Sequence, residues 1–433
     1  MFKKIFKKIV EVILRLEATL ILKKYKPKII GVTGSVGKTG TKEMVATCLG
    51  ACFSVGKSEK SYNSEIGVPL AIIGRPSGWS NPLAWLNNFW HGLSLIIFPN
   101  KYPDWLVLEI GADRPGDIKK IVSWLKCKIA VITRLPEVPV HIEFFNSREE
   151  VIEEKMSLPR SLADDGVAIL NADDENIIAH EALIKTKIVT YGFSDRADFK
   201  ASNDHVFYHS EDHNCPAGIT FKLDYAGSSV PVKINGALGR HHVYSALAAL
   251  AVGQEVGGNM IKMIEALNEF SMPPGRLKII DGIKETIILD DTYNASPAAL
   301  MAGLETISQL DKAKRKIAVL GDMMELGEHT TEEHRRAGQL VAQTVDFLLA
   351  VGLRSKFYIE GAGEGKMPKK NIFHFHDSLS AGKFLQNFIK SGDVVWIKGS
   401  QSMRMEKAVE EIMKEPHRKN ELLVRQERKW HKN

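Results

Sequence analysis

The chain has 433 residues, 44% hydrophobic and 25% charged, enough for two or three compact domains with filled cores. That composition excludes collagen-like, disordered and disulfide-scaffold classes, and four scattered cysteines (Cys48, Cys52, Cys127, Cys215) imply a reducing compartment. The net charge of +6 sits at the ends: residues 1–28 hold eight lysines and Arg15 against Glu11 and Glu17, and residues 415–433 hold six basic against three acidic side chains. The body between them is acidic, so no nucleic-acid partner is expected.

The chain opens with a basic amphipathic helix over residues 1–27. Phe2, Ile5, Phe6, Ile9, Ile13, Leu16 and Leu20 recur at helical spacing, with Lys3, Lys4, Lys7 and Lys8 between them. Glu11, Arg15 and Glu17 interrupt any signal-peptide core. Two readings stand: peripheral membrane contact through residues 1–26, or packing on its own domain behind a solvated lysine face. No run of ~20 apolar residues predicts a transmembrane helix.

Beyond Pro27, apolar runs alternate with helical patterns. Strands are predicted at 28–33, 105–110, 128–133, 166–171 and 187–192, with helices at 38–49 and 117–125. The Trp-rich stretch 83–98 is apolar but broken by Asn87, Asn88, His91 and Gly92; it reads as a buried helix or a partner-facing patch rather than a membrane dip. Residues 198–236 read as alternating strands, and 242–256 as a strong helix. The SMPPGRL break (271–277) is the predicted domain boundary. A second alternating run follows, with strands at 286–291, 316–322, 345–352 and 393–399. This alternation predicts mostly parallel sheets covered by helices, an α/β fold.

The strongest chemical signal is GVTGSVGKTGTK (31–42), a strand entering a glycine-rich turn that opens a helix. Gly34, Ser35 and Gly37 let backbone N–H groups approach phosphate oxygens, Lys38 reaches the terminal phosphates, and the Thr39 hydroxyl suits Mg²⁺. Val32 stands where the full pattern wants glycine. Glu109 closes an apolar strand, where ligand groups gather in open α/β sheets; a metal-binding and an ion-pairing role are equally open there. Asp290 and Asp291 close another strand before Tyr293, Asn294 and Pro297, a pattern that a capped helix start also produces. His205, His209, His213 and Cys215 cluster in a polar segment that reads as a solvated turn rather than a metal site.

In order, TGSVGKTGTKEM (33–44), NSEIGVPLAI (63–72), VLEIGADRPGDI (107–118), HIEFF (141–145), EEKMSL (153–158), GVAILNADD (166–174), ALGRHH (237–242), PPGRL (273–277), DDTYNASPAAL (290–300), VLGDMMELGE (319–328) and KGSQSMRME (398–406) together resemble the Mur ligase family. These are ATP-dependent, amide-forming enzymes of peptidoglycan precursor synthesis. The resemblance spans about residues 28 to 414. It is strongest to members that add D-alanyl-D-alanine to a UDP-muramoyl-tripeptide.

The resemblance implies a central P-loop-type ATP-binding domain (28–272), a C-terminal Rossmann-like α/β domain (273–414) and a basic tail (415–433). It implies a cytoplasmic ligase that uses ATP and Mg²⁺ to activate a muramoyl-peptide carboxylate as an acyl phosphate, which an amino acid or dipeptide amine then attacks. Thr39 and Glu109 match the first metal site and His141 a ligand of the second. Lys155 matches a lysine carbamylated by CO₂ that helps position that metal. Lys38 and Arg276 match the phosphate-binding cations. Asp291, Tyr293, Asn294 and His242 match positions beside the nucleotide. Glu325 and His334 resemble positions near the amine substrate.

Three departures stand out: His242 and Ser245 replace expected asparagines, and Gln401 replaces an arginine. Only about thirty residues precede the P-loop, too few for the uridine-nucleotide-binding domain those members carry there. Two alternatives follow: a lipid-linked or polymeric acceptor, or a non-catalytic partner subunit on the same fold.

Overall fold

A computed structural model describes residues 2–58, 62–79, 81–137, 142–209, 215–427 and 430, with side chains from Phe6 onward. Among these residues the strands form two sheets, and the first has the order β2-β3-β1-β4-β5-β6-β7-β8-β9. Its members are β1 (Lys28–Thr33), β2 (Val55–Lys57), β3 (Trp105–Glu109), β4 (Ile129–Ile132), β5 (Val167–Asn171), β6 (Lys187–Gly192), β7 (Phe199–Tyr208), β8 (Pro216–Tyr225) and β9 (Ser228–Asn235). Strands β2 to β7 pair in parallel, and β7-β8-β9 form an antiparallel extension.

Its helices are α1 (Phe2–Tyr25), α2 (Lys38–Gly50), α3 (Gly67–Ile73), α4 (Pro82–Ile97), α5 (Asp117–Trp124), α6 (Arg148–Arg160), α7 (Glu175–Ile178), α8 (Arg240–Glu255) and α9 (Met260–Asn268). The central parallel strands β1, β3, β4 and β5 are largely apolar because both sheet faces are covered there. Alternation along β1 divides the core in two. Ile30 and Val32 pack with Met44, Val45 and Leu49 of α2 and with α8. Ile29 packs on the opposite face with α3, α5 and the N-terminal helix. Val10, Leu14, Ala18 and Ile21 of α1 are buried in that second cluster, so one face of the helix packs on its own domain.

The 83–98 stretch is helix α4, beside α1, and it is only half covered. Trp85, Asn88, Gly92 and Leu95 are buried, while Leu83, Leu86, Trp90, Leu93 and Ile97 are exposed. Among the described residues no helix is long and apolar enough to cross a membrane.

The second sheet has the order β10-β11-β15-β12-β13-β14, parallel except for the β10–β11 pair. Its strands are β10 (Lys278–Asp281), β11 (Ile287–Asp291), β12 (Arg315–Gly321), β13 (Phe347–Val351), β14 (Ile372–Phe375) and β15 (Asp393–Lys398). The tail folds back onto this sheet: Leu423 is buried, and Arg425 pairs with buried Glu406 at 2.7 Å while donating to the Thr292 carbonyl at 3.0 Å.

Candidate active site

The carboxyl ends of β1, β3 and β4 meet the carboxyl ends of β11 and β15 across a cleft. In parallel α/β sheets this is where loops carry ligand groups. Gly34 and Gly37 have φ of +138° and +89°, and at Gly34 a Cβ atom would lie 2.1 Å from the Thr133 hydroxyl. Only glycine allows this loop to turn so tightly. Helix α2 then starts at Lys38 without a side-chain cap, which leaves its first N–H groups for a ligand in the loop.

The register pairs Val32 with Glu109, so the Glu109 carboxylate arrives beside the loop. It accepts hydrogen bonds from the Thr39 hydroxyl at 3.0 Å and from the Asn63 amide at 3.1 Å. Lys38 donates to the Gly34 carbonyl at 2.8 Å, and burial lowers its pKa against the attraction of Glu109. From the other sheet, Arg276 reaches across and donates to the Thr39 hydroxyl at 3.1 Å, its guanidinium 3.9 Å from the Tyr293 ring centroid. Asp291 pairs with Lys398 at 2.7 Å, and Lys398 also donates to the Asn294 carbonyl at 3.0 Å.

Lys38, Thr39, Glu109, His242, Arg276 and Asp291 line one cavity of about 120 Å³. That is smaller than ordinary small-molecule pockets, which run roughly 300–1,000 Å³. The cavity holds buried polar atoms without partners: Ser35 Oγ, His241 Nδ1, both ring nitrogens of His242 and Arg276 Nε. Such atoms are costly unless a ligand satisfies them. Burial pushes the His242 ring well below its ordinary pKa and His241 down to about 4, so both stay neutral and can exchange hydrogen bonds with a base. The oxygen pair of Thr39 and Glu109 suits a hard cation such as Mg²⁺, and the glycine loop with its flanking cations suits a polyphosphate. The residues present therefore fit ATP and Mg²⁺.

Lys155 stands apart from that cavity. It is buried on α6, 3.4 Å from the Ala112 carbonyl in the loop after β3. Its neighbour Glu154 fixes α6 there by accepting from the Gly116, Ile118 and Lys119 N–H groups at the start of α5. Burial, reinforced by the Lys38 charge, lowers the Lys155 amine to a pKa of about 7. His141 and His213 lie outside the described residues. Among the described residues no cluster of three or more His, Cys, Asp or Glu is placed to hold a metal.

A second cavity of about 780 Å³ adjoins the first at Thr39 and Arg276. It runs between Trp79, Leu70 and the folded-back tail at Val424 and Trp430. Gln401 and Tyr293 line it as well.

Sequence reasoning singled out Arg276 and Asp291 without their partners. Lys398 is the residue it missed; it opens the KGSQSMRME motif but its ion pair spans 107 positions. Asp113 is another, its charge facing both Lys38 and Lys155. His334 is a fold residue: fully buried, it accepts from the Met323 N–H and contacts the Thr330 carbonyl. Ser245 shares a hydrogen bond with Thr41 at 3.0 Å, tying α8 to α2.

A model of the Mur ligase middle domain matches residues 88–253, and one of the Mur ligase glutamate ligase domain matches residues 275–401. A UDP-N-acetylmuramoyl-tripeptide–D-alanyl-D-alanine ligase of Bacillus subtilis (strain 168) is 27% identical over 400 residues, covering 92% of this chain and 79% of that protein. The enzyme of the same name from Escherichia coli (strain K12) is 29% identical over 388 residues, covering 88% of this chain and 76% of that protein. The crystal structure of the MurF ligase from Thermotoga maritima in complex with ADP matches with a TM-score of 0.75 at 26% identity, covering 95% of this chain and 84% of that one.

Proposed function

The chain belongs to the Mur ligase family, and from that premise we propose that it joins D-alanyl-D-alanine to a UDP-muramoyl-tripeptide in peptidoglycan synthesis, with ATP cleaved to ADP and phosphate. The observation that carries this reading is the Glu109–Thr39–Arg276 chain of hydrogen bonds. It puts a carboxylate, a P-loop hydroxyl and a guanidinium from the facing sheet at one point.

The residues act by position and charge, as phosphoryl transfer demands. The backbone of Gly34, Ser35 and Gly37 cradles phosphate oxygens, and Lys38 neutralises the terminal phosphates. Arg276 leaves the Thr39 hydroxyl for the transferred phosphoryl group as the cleft closes on substrate. Asp291, Tyr293, Asn294 and His242 hold the nucleoside. Thr39 and Glu109 would hold Mg²⁺ and His141 would be a ligand of a second ion, and the metal would supply charge neutralisation for phosphoryl transfer. The larger cavity beside Arg276 receives the acceptor carboxylate. Closure keeps water from the activated acyl group, so that the amine attacks it and phosphate leaves.

Lys155 is carbamylated on this reading. Its neutral amine bonds to the carbon of CO₂ and releases a proton, which turns the buried amine into a carbamate anion beside the loop after β3. An amine with a pKa of about 7 is largely unprotonated just above neutrality, as that attack requires. Residues 28–272 and 273–414 act as the two catalytic domains. Residues 1–26 give the cytoplasmic enzyme a peripheral contact with the inner face of the membrane.

The test is ADP release in the presence of Mg²⁺ and ATP, with carboxylate and amine supplied separately and together. Release only when both are present supports the ligase. Release indifferent to either substrate, or no release with any muramoyl peptide, contradicts it.

A further inference from the structure

Helices α1 and α4 pack side by side on one face of the first sheet. Glu17 lies against Gly92, where a Cβ would come within 2.4 Å of its carboxylate. Near their ends, Lys24 donates to the Leu95, Ile96 and Phe98 carbonyls at 2.8, 3.0 and 2.6 Å. The pair therefore runs parallel, with one side of each helix in the core.

The outer sides are apolar. On α4, Leu83, Leu86, Trp90, Leu93 and Ile97 recur in steps of three and four, with Leu83 and Trp90 at 75% and 68% exposure. The α4 span contains no Asp, Glu, Lys or Arg. On α1, Phe6, Ile9, Leu16 and Leu20 form a matching exposed stripe, and Trp79 and Phe98 extend the surface beyond the ends of α4. Scattered exposed leucines are ordinary, but two adjacent stripes with tryptophans mark a contact surface.

The exposed charges of α1 have one sign, while Glu65 and Lys120 pair with each other beside Lys7, Lys8 and Arg15. From Phe6 onward the exposed ionisable side chains of α1 are Lys7, Lys8, Arg15, Lys23 and Lys24, whereas Glu11 is half-buried and Glu17 buried. A second copy of this chain would set those cations against each other. An anionic bilayer satisfies both the cations and the apolar stripes.

We propose that α1 and α4 together form an anionic-lipid docking surface, in which the uncharged stripe of α4 enters the headgroup boundary while the basic side chains of α1 bind lipid phosphates. The proposal rests on the peripheral contact assigned to residues 1–26 and adds α4 as its apolar half. Trp90, at 68% exposure in the middle of the α4 stripe, is of the residue type that favours the membrane interface.

Co-sedimentation of the full chain tests it, with vesicles of phosphatidylglycerol in phosphatidylcholine and with phosphatidylcholine alone. The wild type binds the anionic vesicles, and its tryptophan emission shifts to the blue. Leu86→Glu with Trp90→Glu lowers the partition coefficient about tenfold or more, as does Lys7→Glu with Lys8→Glu. Circular dichroism and ADP release with soluble substrates stay at wild-type levels. If the wild type binds but the α4 variant binds equally well, the composite surface is wrong and the contact through residues 1–26 stands. If the wild type ignores anionic vesicles, both are wrong. A wild-type dimer that the α4 variant dissolves would assign the surface to a second copy and overturn the proposal.

Discussion

The cleft between the sheets and the outer side of the α1–α4 pair depart from ordinary burial in opposite directions. The cleft buries polar groups without partners, including Ser35 Oγ, both His242 nitrogens and Arg276 Nε. The helix pair leaves large apolar groups without cover, including Leu83, Leu86, Trp90 and Leu16. Each departure costs free energy in the free protein, through unmade hydrogen bonds in one place and hydrated hydrocarbon in the other. Each is relieved by a ligand of the complementary kind. The same chain thus reserves one polar and one apolar surface, and the two can be broken separately.

The largest effect falls in the cleft. Lys38→Ala removes the P-loop cation and lowers kcat on the order of 10³-fold, read as ADP release, while vesicle binding is unchanged. Loss of both functions together would mean that the two surfaces are not independent. Next is Lys155→Ala, which lowers turnover on the order of 10²-fold. Wild-type turnover then rises as pH climbs through about 7, where the Lys155 amine loses its proton, and falls when dissolved CO₂ is removed. Turnover indifferent to CO₂ at every pH would exclude the carbamate.

On the helix pair, raising salt from low to physiological strength weakens vesicle binding by about tenfold, because several exposed cations lose their attraction to lipid phosphates. ADP release with soluble substrates changes far less. A salt-insensitive partition would leave the apolar stripes and remove the charge argument.

The smallest effect concerns the seam between α1 and α4. Burial raises the Glu17 carboxyl to a pKa of about 7, against an ordinary value of 4.5. The folded protein then holds a proton that the unfolded chain releases, so stability falls as pH rises from about 4.5 to 7 and levels off beyond. Glu17→Gln removes that slope and stabilises the fold at pH 8 by about 1–3 kcal/mol, with little effect at pH 4. Denaturant midpoints at the two pH values provide the check.

The two regions were unequally legible in the sequence. The apolar run 28–33 and the glycines at 34 and 37 have local causes, both sheet faces being covered and the loop turning tightly, so β1 and the P-loop stand where periodicity and spacing predict them. The same holds for the strand leading to Glu109. Contacts made across long separations were hidden. The pairing of Lys398 with Asp291 depends on β11 and β15 lying side by side. The low pKa of Lys155 depends on α6 packing under the loop after β3, and sequence alone shows an ordinary helix lysine. Half of α4 is buried as its hydropathy suggests, but which half depends on α1, some seventy positions earlier, packing parallel to it. The tail read as a run of basic residues, and only the buried Glu406 explains why Arg425 folds inward.

The central claim is that the cleft makes an amide bond. Mass spectrometry of the product from enzyme, ATP, Mg²⁺, UDP-muramoyl-tripeptide and D-alanyl-D-alanine tests it most directly. The expected product is a species with the summed mass of the two substrates less one water, formed in step with ADP. ADP accumulating without that species would contradict it.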